Sequence, residues 1–125
     1  LIYECVGAFE KRQVISTRPE GFNGFNGTAA IRLSKDWKYL YASNRGHDSI
    51  VVYTILADGS LELLEFVPTN GKTPRDFILS PDQEFLIAVH QDSDNATVFK
   101  RNPETGRLAE LSNDFHVPEA VCVTF

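Results

Sequence analysis

The chain repeats itself at a constant spacing. Placing Ser34 on Ser80 brings Asp36 onto Asp82, Leu40 onto Leu86, Ala42 onto Ala88, Asp48 onto Asp94, Val52 onto Val98 and Tyr53 onto Phe99, a period of 46 residues. Gly59-x-Leu61 then matches Gly106-x-Leu108 after one insertion. Each copy holds short apolar runs separated by turn residues, as in Tyr39-Leu40-Tyr41-Ala42 and Ile50-Val51-Val52-Tyr53. Runs of this length, bounded by signals such as Asp58-Gly59 and Pro81-Asp82, read as β-strands, and no helical periodicity competes with them. Four strands per unit at this period is the pattern of a β-propeller blade. A β-sandwich is the rival, but it needs no internal copy at constant spacing.

Counted this way, the sequence predicts an all-β chain of about two and a half four-stranded antiparallel blades in one domain. Residues 1–16 supply the outer strands of one blade, 28–67 a full blade, 75–115 a second, and 117–125 a closing inner strand. A blade face left open needs a neighbour. The chain also contains no methionine and opens inside the pattern. It is therefore expected to be the C-terminal part of a larger propeller, whose other blades cover the open faces, or to self-associate through them.

Charge narrows the partners. Twelve basic against seventeen acidic residues leave a net charge of −5, which argues against a nucleic-acid or anionic-membrane binder. No run has the length of a transmembrane helix, and no signal-peptide pattern is present, so a cytoplasmic protein is expected. Cys5 and Cys122 read as buried free thiols, with a disulfide as the alternative.

In a meander the connections alternate between two ends of the sheet. One end collects the turns at Asn44 to Asp48 and His90 to Asp94 with the crossings Thr17 to Thr28, Pro68 to Pro74 and Phe115 to Pro118. It carries Glu20, Asn44, Arg45, His47, Asp48, Lys72, Arg75, Asp76, His90, Gln91 and Asp92, whereas the other end holds ordinary turn chemistry. The first end is the candidate active face. Arg45 and Arg75, with Lys72 and His47, can make an anion pocket, since guanidinium groups bind carboxylate or phosphate bidentately. The alternative is that both arginines pair with Asp76, Asp92 or Asp94 and brace the loops. His47 is a candidate general base or a structural hydrogen-bonder. Glu20, on a long glycine-rich loop, either reaches the channel as a second base or hangs in solvent. Asp48 and Asp94 recur in both copies and read as structural turn residues. Arg45 and His47 do not recur, because Gln91 and Ser93 stand in their places. No metal or cofactor is expected, since neither zinc spacing nor a complete calcium loop exists.

Ser43-Asn44-Arg45-Gly46-His47-Asp48-Ser49-Ile50, Gly71-Lys72-Thr73-Pro74-Arg75-Asp76-Phe77 and Gln91-Asp92-Ser93-Asp94-Asn95 together resemble the C-terminal part of the bacterial lactonase family. Members include the propeller-type 6-phosphogluconolactonase and proteins labelled carboxymuconate cyclase. The resemblance implies part of a seven-bladed propeller with a metal-free site at the mouth of its channel. It implies a small anionic substrate, a phosphosugar lactone of the pentose phosphate pathway or a dicarboxylate. On this sequence it assigns Arg45, His47 and Glu20 to catalysis and Asn44, Lys72, Arg75 and Gln91 to substrate binding. The implied activity is lactone hydrolysis in carbohydrate metabolism. The alternatives are a carboxymuconate-type lactonizing cyclase and a non-catalytic binding platform.

Overall fold

The computed structural model describes residues 2–5, 7 and 9–125, the first four by their backbone alone. Every regular element among them is a β-strand. β1 (Ile2–Cys5) pairs with β2 (Phe9–Gln13). β3 (Gly27–Leu33), β4 (Tyr39–Arg45), β5 (Ser49–Ile55) and β6 (Leu61–Pro68) form one antiparallel four-stranded meander. β7 (Pro74–Leu79), β8 (Phe85–His90), β9 (Asn95–Arg101) and β10 (Leu108–His116) form a second. The all-β meander expected from the repeat is what the chain adopts.

The repeat is written into the turns as well as the strands. Ser34 donates from Oγ to Asp36 (2.6 Å), accepts the Tyr39 amide at the same oxygen (3.0 Å), and accepts the Trp37 amide at its carbonyl (3.0 Å). Ser80 does the same with Asp82, Phe85 and Gln83. In both turns the fourth residue is left-handed, Trp37 at φ 60° and Gln83 at φ 65°.

Both faces of the β3–β6 sheet are covered, which explains its near-continuous apolar strands. Successive side chains of a strand point to opposite faces. Tyr39, Tyr41, Ile50 and Val52 therefore enter one core with Phe77, Leu79, Leu86, Ala88 and Phe99 of the second sheet. Ala42, Val51 and Tyr53 enter another core with Leu61, Leu40, Phe66 and Ile15, on the side of the β1–β2 pair. That side is closed by polar bonds: Gln13 exchanges two hydrogen bonds with the Leu61 backbone, at 2.9 and 2.8 Å, and the Tyr53 hydroxyl donates to the Ser16 carbonyl at 2.7 Å.

The joint between the two sheets is built around a buried cation. Arg101 is 2% exposed, and its Nε donates to the Tyr41 hydroxyl at 2.7 Å. Its guanidinium also lies over the rings of Tyr39 and Tyr41, each 5.7 Å away, an arrangement that favours a positive charge. The Tyr41 hydroxyl passes its own proton on to the Gly106 carbonyl at 2.8 Å. Burial pushes the Tyr41 pKa up to about 12, so the hydroxyl stays a donor.

Two expectations need correction. Residues 117–125 form no strand, because a strand needs a ladder partner and no described strand pairs with them. The segment is tied down by single bonds instead, Val117 N to the Asp94 carbonyl (2.8 Å) and Val123 N to Asp76 Oδ2 (3.1 Å). Cys122, on this unpaired segment, is an exposed free thiol rather than a buried one. The Cys5 side chain lies outside the described residues.

Gly106 makes the joint testable. It sits at φ 73°, and a Cβ there would meet the Tyr39 ring at 2.3 Å. Gly59 has similar geometry (φ 82°) with open space around it. Gly106→Ala should lower unfolding stability by about 3 kcal/mol, combining left-handed strain with overpacking. Gly59→Ala should lose only about 1 kcal/mol, from the backbone alone. Urea unfolding of both variants checks the difference, and equal losses would refute the packed joint.

Candidate active site

Alternation in the two meanders brings the β4–β5 turn, the β8–β9 turn and the blade-to-blade crossings to one end, and the hydrogen bonds show them knitted together. Asp48 is left-handed at φ 53°. Its carboxylate accepts the amides of Gly46 (3.1 Å) and Thr73 (2.9 Å), and its carbonyl accepts the amide of Thr69 (3.0 Å). Asp94, also at φ 53°, takes Val117 N on its carbonyl and Glu119 N on its carboxylate, both at 2.8 Å. Both aspartates are structural, as their recurrence implied.

β4 runs two residues further than the sequence suggested. Asn44 and Arg45 are its last residues, paired with Thr28 and Gly27 of β3, and the turn proper is Gly46 to Asp48. Alternation then sends their side chains to opposite faces. Asn44 is fully buried. Its amide nitrogen bonds the Thr17 carbonyl (2.5 Å) and Ser49 Oγ (3.3 Å), and its oxygen accepts from Asn26 (3.0 Å). Asn44 is thus an anchor for the 17–28 loop, with no solvent-facing atom to offer a substrate.

Arg45 lies across Gly27, the first residue of β3. Its Nε approaches the Gly27 carbonyl at 3.4 Å, and one terminal nitrogen comes within 3.2 Å of where a Cβ of Gly27 would be. Among the described residues neither Arg45 nor Arg75 forms an ion pair. Asp76, offered above as a partner for both, takes Arg32 at 2.8 Å. Asp92 accepts the Thr73 hydroxyl instead.

His47 is half-buried. Its Nδ1 is 2.8 Å from Ser49 Oγ, and its ring meets Phe22 (4.9 Å) and Phe66 (6.0 Å) edge-on. Nε2 makes no hydrogen bond among the described residues. In the second blade Ser93 Oγ donates to Asn95 at 2.6 Å, so this contact across the turn recurs with different residues. Glu20 is exposed in the turn closed by Phe22 N donating to the Pro19 carbonyl (3.3 Å), and no partner holds it toward His47. Lys72 on the second crossing and Arg75 in β7 are exposed, while half-buried Gln91 donates its backbone N–H to the Thr73 carbonyl at 3.1 Å. The structure therefore gathers Arg45, His47 and the loop bearing Glu20 on the first blade. Lys72, Arg75 and Gln91 stand on the second.

Sequence reasoning placed His90 on the candidate face but gave it no role. It is fully buried, in the place that Asn44 occupies one period earlier, and a Cβ on Gly71 would collide with its ring at 2.4 Å. Its Nδ1 is 3.0 Å from the Asn95 carbonyl. A carbonyl only accepts, so Nδ1 carries the proton and Nε2 is left as a buried acceptor without a partner. Burial lowers the His90 pKa from the ordinary 6.5, against the smaller opposing pull of the Asn95 carbonyl and Asp48. Alignment of His90 with Asn44 was the available signal.

A family model described as Lactonase, 7-bladed beta-propeller, matches residues 2–125. The chain belongs to this family. The two four-stranded sheets are blades of such a propeller. An uncharacterized protein of Lactococcus lactis is 48% identical over 118 residues, which are 94% of this chain and 35% of that protein. The structure of the periplasmic gluconolactonase PpgL of Pseudomonas aeruginosa superposes with a TM-score of 0.86 at 32% identity, over 94% of this chain and 33% of that one. A provisional 6-phosphogluconolactonase of Bacteroides uniformis gives a TM-score of 0.83 at 36% identity, over 95% and 34%. The chain thus spans about a third of the length of the relatives it matches.

The depressed pKa of His90 has a thermodynamic consequence. Unfolded His90 takes up a proton below its ordinary value of 6.5, while the folded residue resists. The stability that its neutral form contributes is complete above that value and is lost as pH falls. From about pH 7.5 to about pH 5.5 the chain should lose melting temperature, and His90→Asn, the residue used in the other blade, should lose less. Parallel melting curves would show that His90 is not the titrating group.

Proposed function

We propose that this chain contributes to the active site of a lactone hydrolase, specifically one opening 6-phosphoglucono-1,5-lactone. The observation that carries the reading is Arg45. It is a guanidinium without a carboxylate partner among the described residues, lying across Gly27, the first residue of β3. Such a group suits charge that develops on a lactone carbonyl or resides on a phosphate. Membership of the lactonase family supports the reaction class, and the relatives described as gluconolactonases support the sugar-acid substrate.

In this reading a water molecule attacks the lactone carbonyl carbon while Arg45 stabilises the oxyanion. His47 takes the water proton at Nε2 when Nδ1–H donates to Ser49 Oγ. Collapse of the tetrahedral intermediate breaks the ring C–O bond, and the proton moves from His47 to the departing alkoxide. The products are the hydroxy acid and the regenerated neutral imidazole. Glu20, on the adjoining turn, is the other proton acceptor within the loop set. Lys72, Arg75 and Gln91 hold the distal anionic end of the substrate.

Hydrolysis of the phosphorylated lactone by the full-length protein is the test. Arg45→Ala should lower kcat/KM by about a hundredfold, with unchanged melting behaviour. Arg45→Lys should rescue little, because one ammonium cannot replace a planar fork. Full activity in a well-folded Arg45→Ala protein would remove Arg45 from the chemistry.

A further inference from the structure

The two blades allow a subtraction. Whatever recurs at the 46-residue spacing is scaffold, and whatever differs at equivalent positions is particular to one blade. Three substitutions fall together at the candidate site. Phe25, Gly27 and Arg45 of the first blade correspond to Gly71, Thr73 and Gln91 of the second. The structure brings the first three to one point. The Phe25 Cζ and an Arg45 terminal nitrogen each lie 3.2 Å from the place where Gly27 would carry a Cβ. Gly27 is therefore a notch, with an aromatic edge on one flank and a guanidinium on the other.

Phe25 is unusual for its setting. The residue is 76% exposed, while Phe22, three residues earlier on the same loop, packs against His47. Its backbone is nevertheless held in place. The Phe25 carbonyl sits so close to Gly46 that a Cβ there would be 1.9 Å away, and the next residue, Asn26, is bonded to Asn44. A fixed backbone presenting an open aromatic ring beside an unpaired cation is an arrangement for a ligand with two different ends.

From this geometry we infer that Phe25 is a substrate-contacting residue: the uncharged ring face of the lactone packs on Phe25 while Arg45 takes the carbonyl or anionic end, with Gly27 leaving room between them. This rests on the lactone-hydrolase reading above. Apolar contact with the C–H face of a sugar-derived ring is indifferent to whether that sugar is phosphorylated. The aromatic flank should therefore contribute equally to phosphorylated and unphosphorylated substrates, which separates it from a phosphate-binding cation.

The experiment uses the full-length protein with two substrates, 6-phosphoglucono-1,5-lactone and glucono-1,5-lactone. Phe25→Ala should lower kcat/KM about tenfold for both, mainly through KM, as expected for removal of one aromatic contact. Phe25→Tyr should keep the activity within about threefold, because the ring face is retained. Gly27→Ala should lower kcat/KM for both substrates by filling the notch. None of the three should shift the melting temperature by more than about 2 °C, since the Phe25 ring is open and the flanking groups at Gly27 are side-chain ends. Unchanged kinetics in Phe25→Ala would overturn the inference while leaving the hydrolase reading intact, and so would a loss confined to the phosphorylated lactone. A wild-type protein that neither hydrolyses these lactones nor binds gluconate or 6-phosphogluconate would overturn both.

Discussion

The passage from one blade to the next depends on an aspartate in a left-handed turn. Asp48 and Asp94 each end a tight β-turn, each offer a carbonyl to the residue that leaves the outer strand, and each offer a carboxylate to an amide further along the crossing. Asp48 thus accepts three backbone amides, two on its carboxylate and one on its carbonyl, and Asp94 accepts two. Positive φ is tolerated at aspartate better than at most residues, because its short carboxylate bonds locally. The same carboxylate then sets where the following inner strand begins. The polar clamp lies at the end of the joint that carries the candidate site. Arg101, with Tyr39 and Tyr41, fills the other, and the apolar core between the sheets connects the two.

This division explains why function can sit on such a repetitive frame. The clamp, the serine–aspartate turns and the two-sided strands recur, so they carry no information about chemistry. The residues that differ between blades stand at the same end as the clamp, on backbone that the clamp has positioned. Arg45 is placed by the β3–β4 ladder and His47 by the turn that Asp48 closes. Phe22 and Asn26 attach the long loop to His47, and Asn26 also to Asn44. The candidate chemistry is therefore mounted on strand ends rather than on free loops.

Much of this was legible in the sequence, and the parts that were not have physical reasons. Apolar alternation between turn signals located the strands, and the recurrence of Asp48 identified its structural role. The Ser43 to Ser49 stretch looked like one loop because Asn44 and Arg45 are polar. Ladder pairing with Thr28 and Gly27 keeps them in the strand, and polarity alone does not reveal pairing. Asn44 looked available to a ligand, but its partners Thr17 and Asn26 lie 27 and 18 residues away, contacts that no local pattern encodes. The same holds for Arg101 and Tyr41, which are 60 residues apart. Cys122 sits in a run that reads as a strand, yet strand character is a property of pairs, and its segment has no partner among the described residues.

The 17–28 loop has the composition of a floppy lid, with three glycines and two asparagines among its twelve residues. Its attachments give it a different character. Thr17 and Thr28 close it at the base through their hydroxyls, Phe22 is packed on His47, the Phe25 carbonyl is lodged against Gly46, and Asn26 is bonded to Asn44 and to the His47 amide. Glycine here lets the chain turn closely rather than move widely. The ordering entropy of this segment is settled when the protein folds, so a ligand arriving at its surface meets a preorganised wall and need not immobilise it.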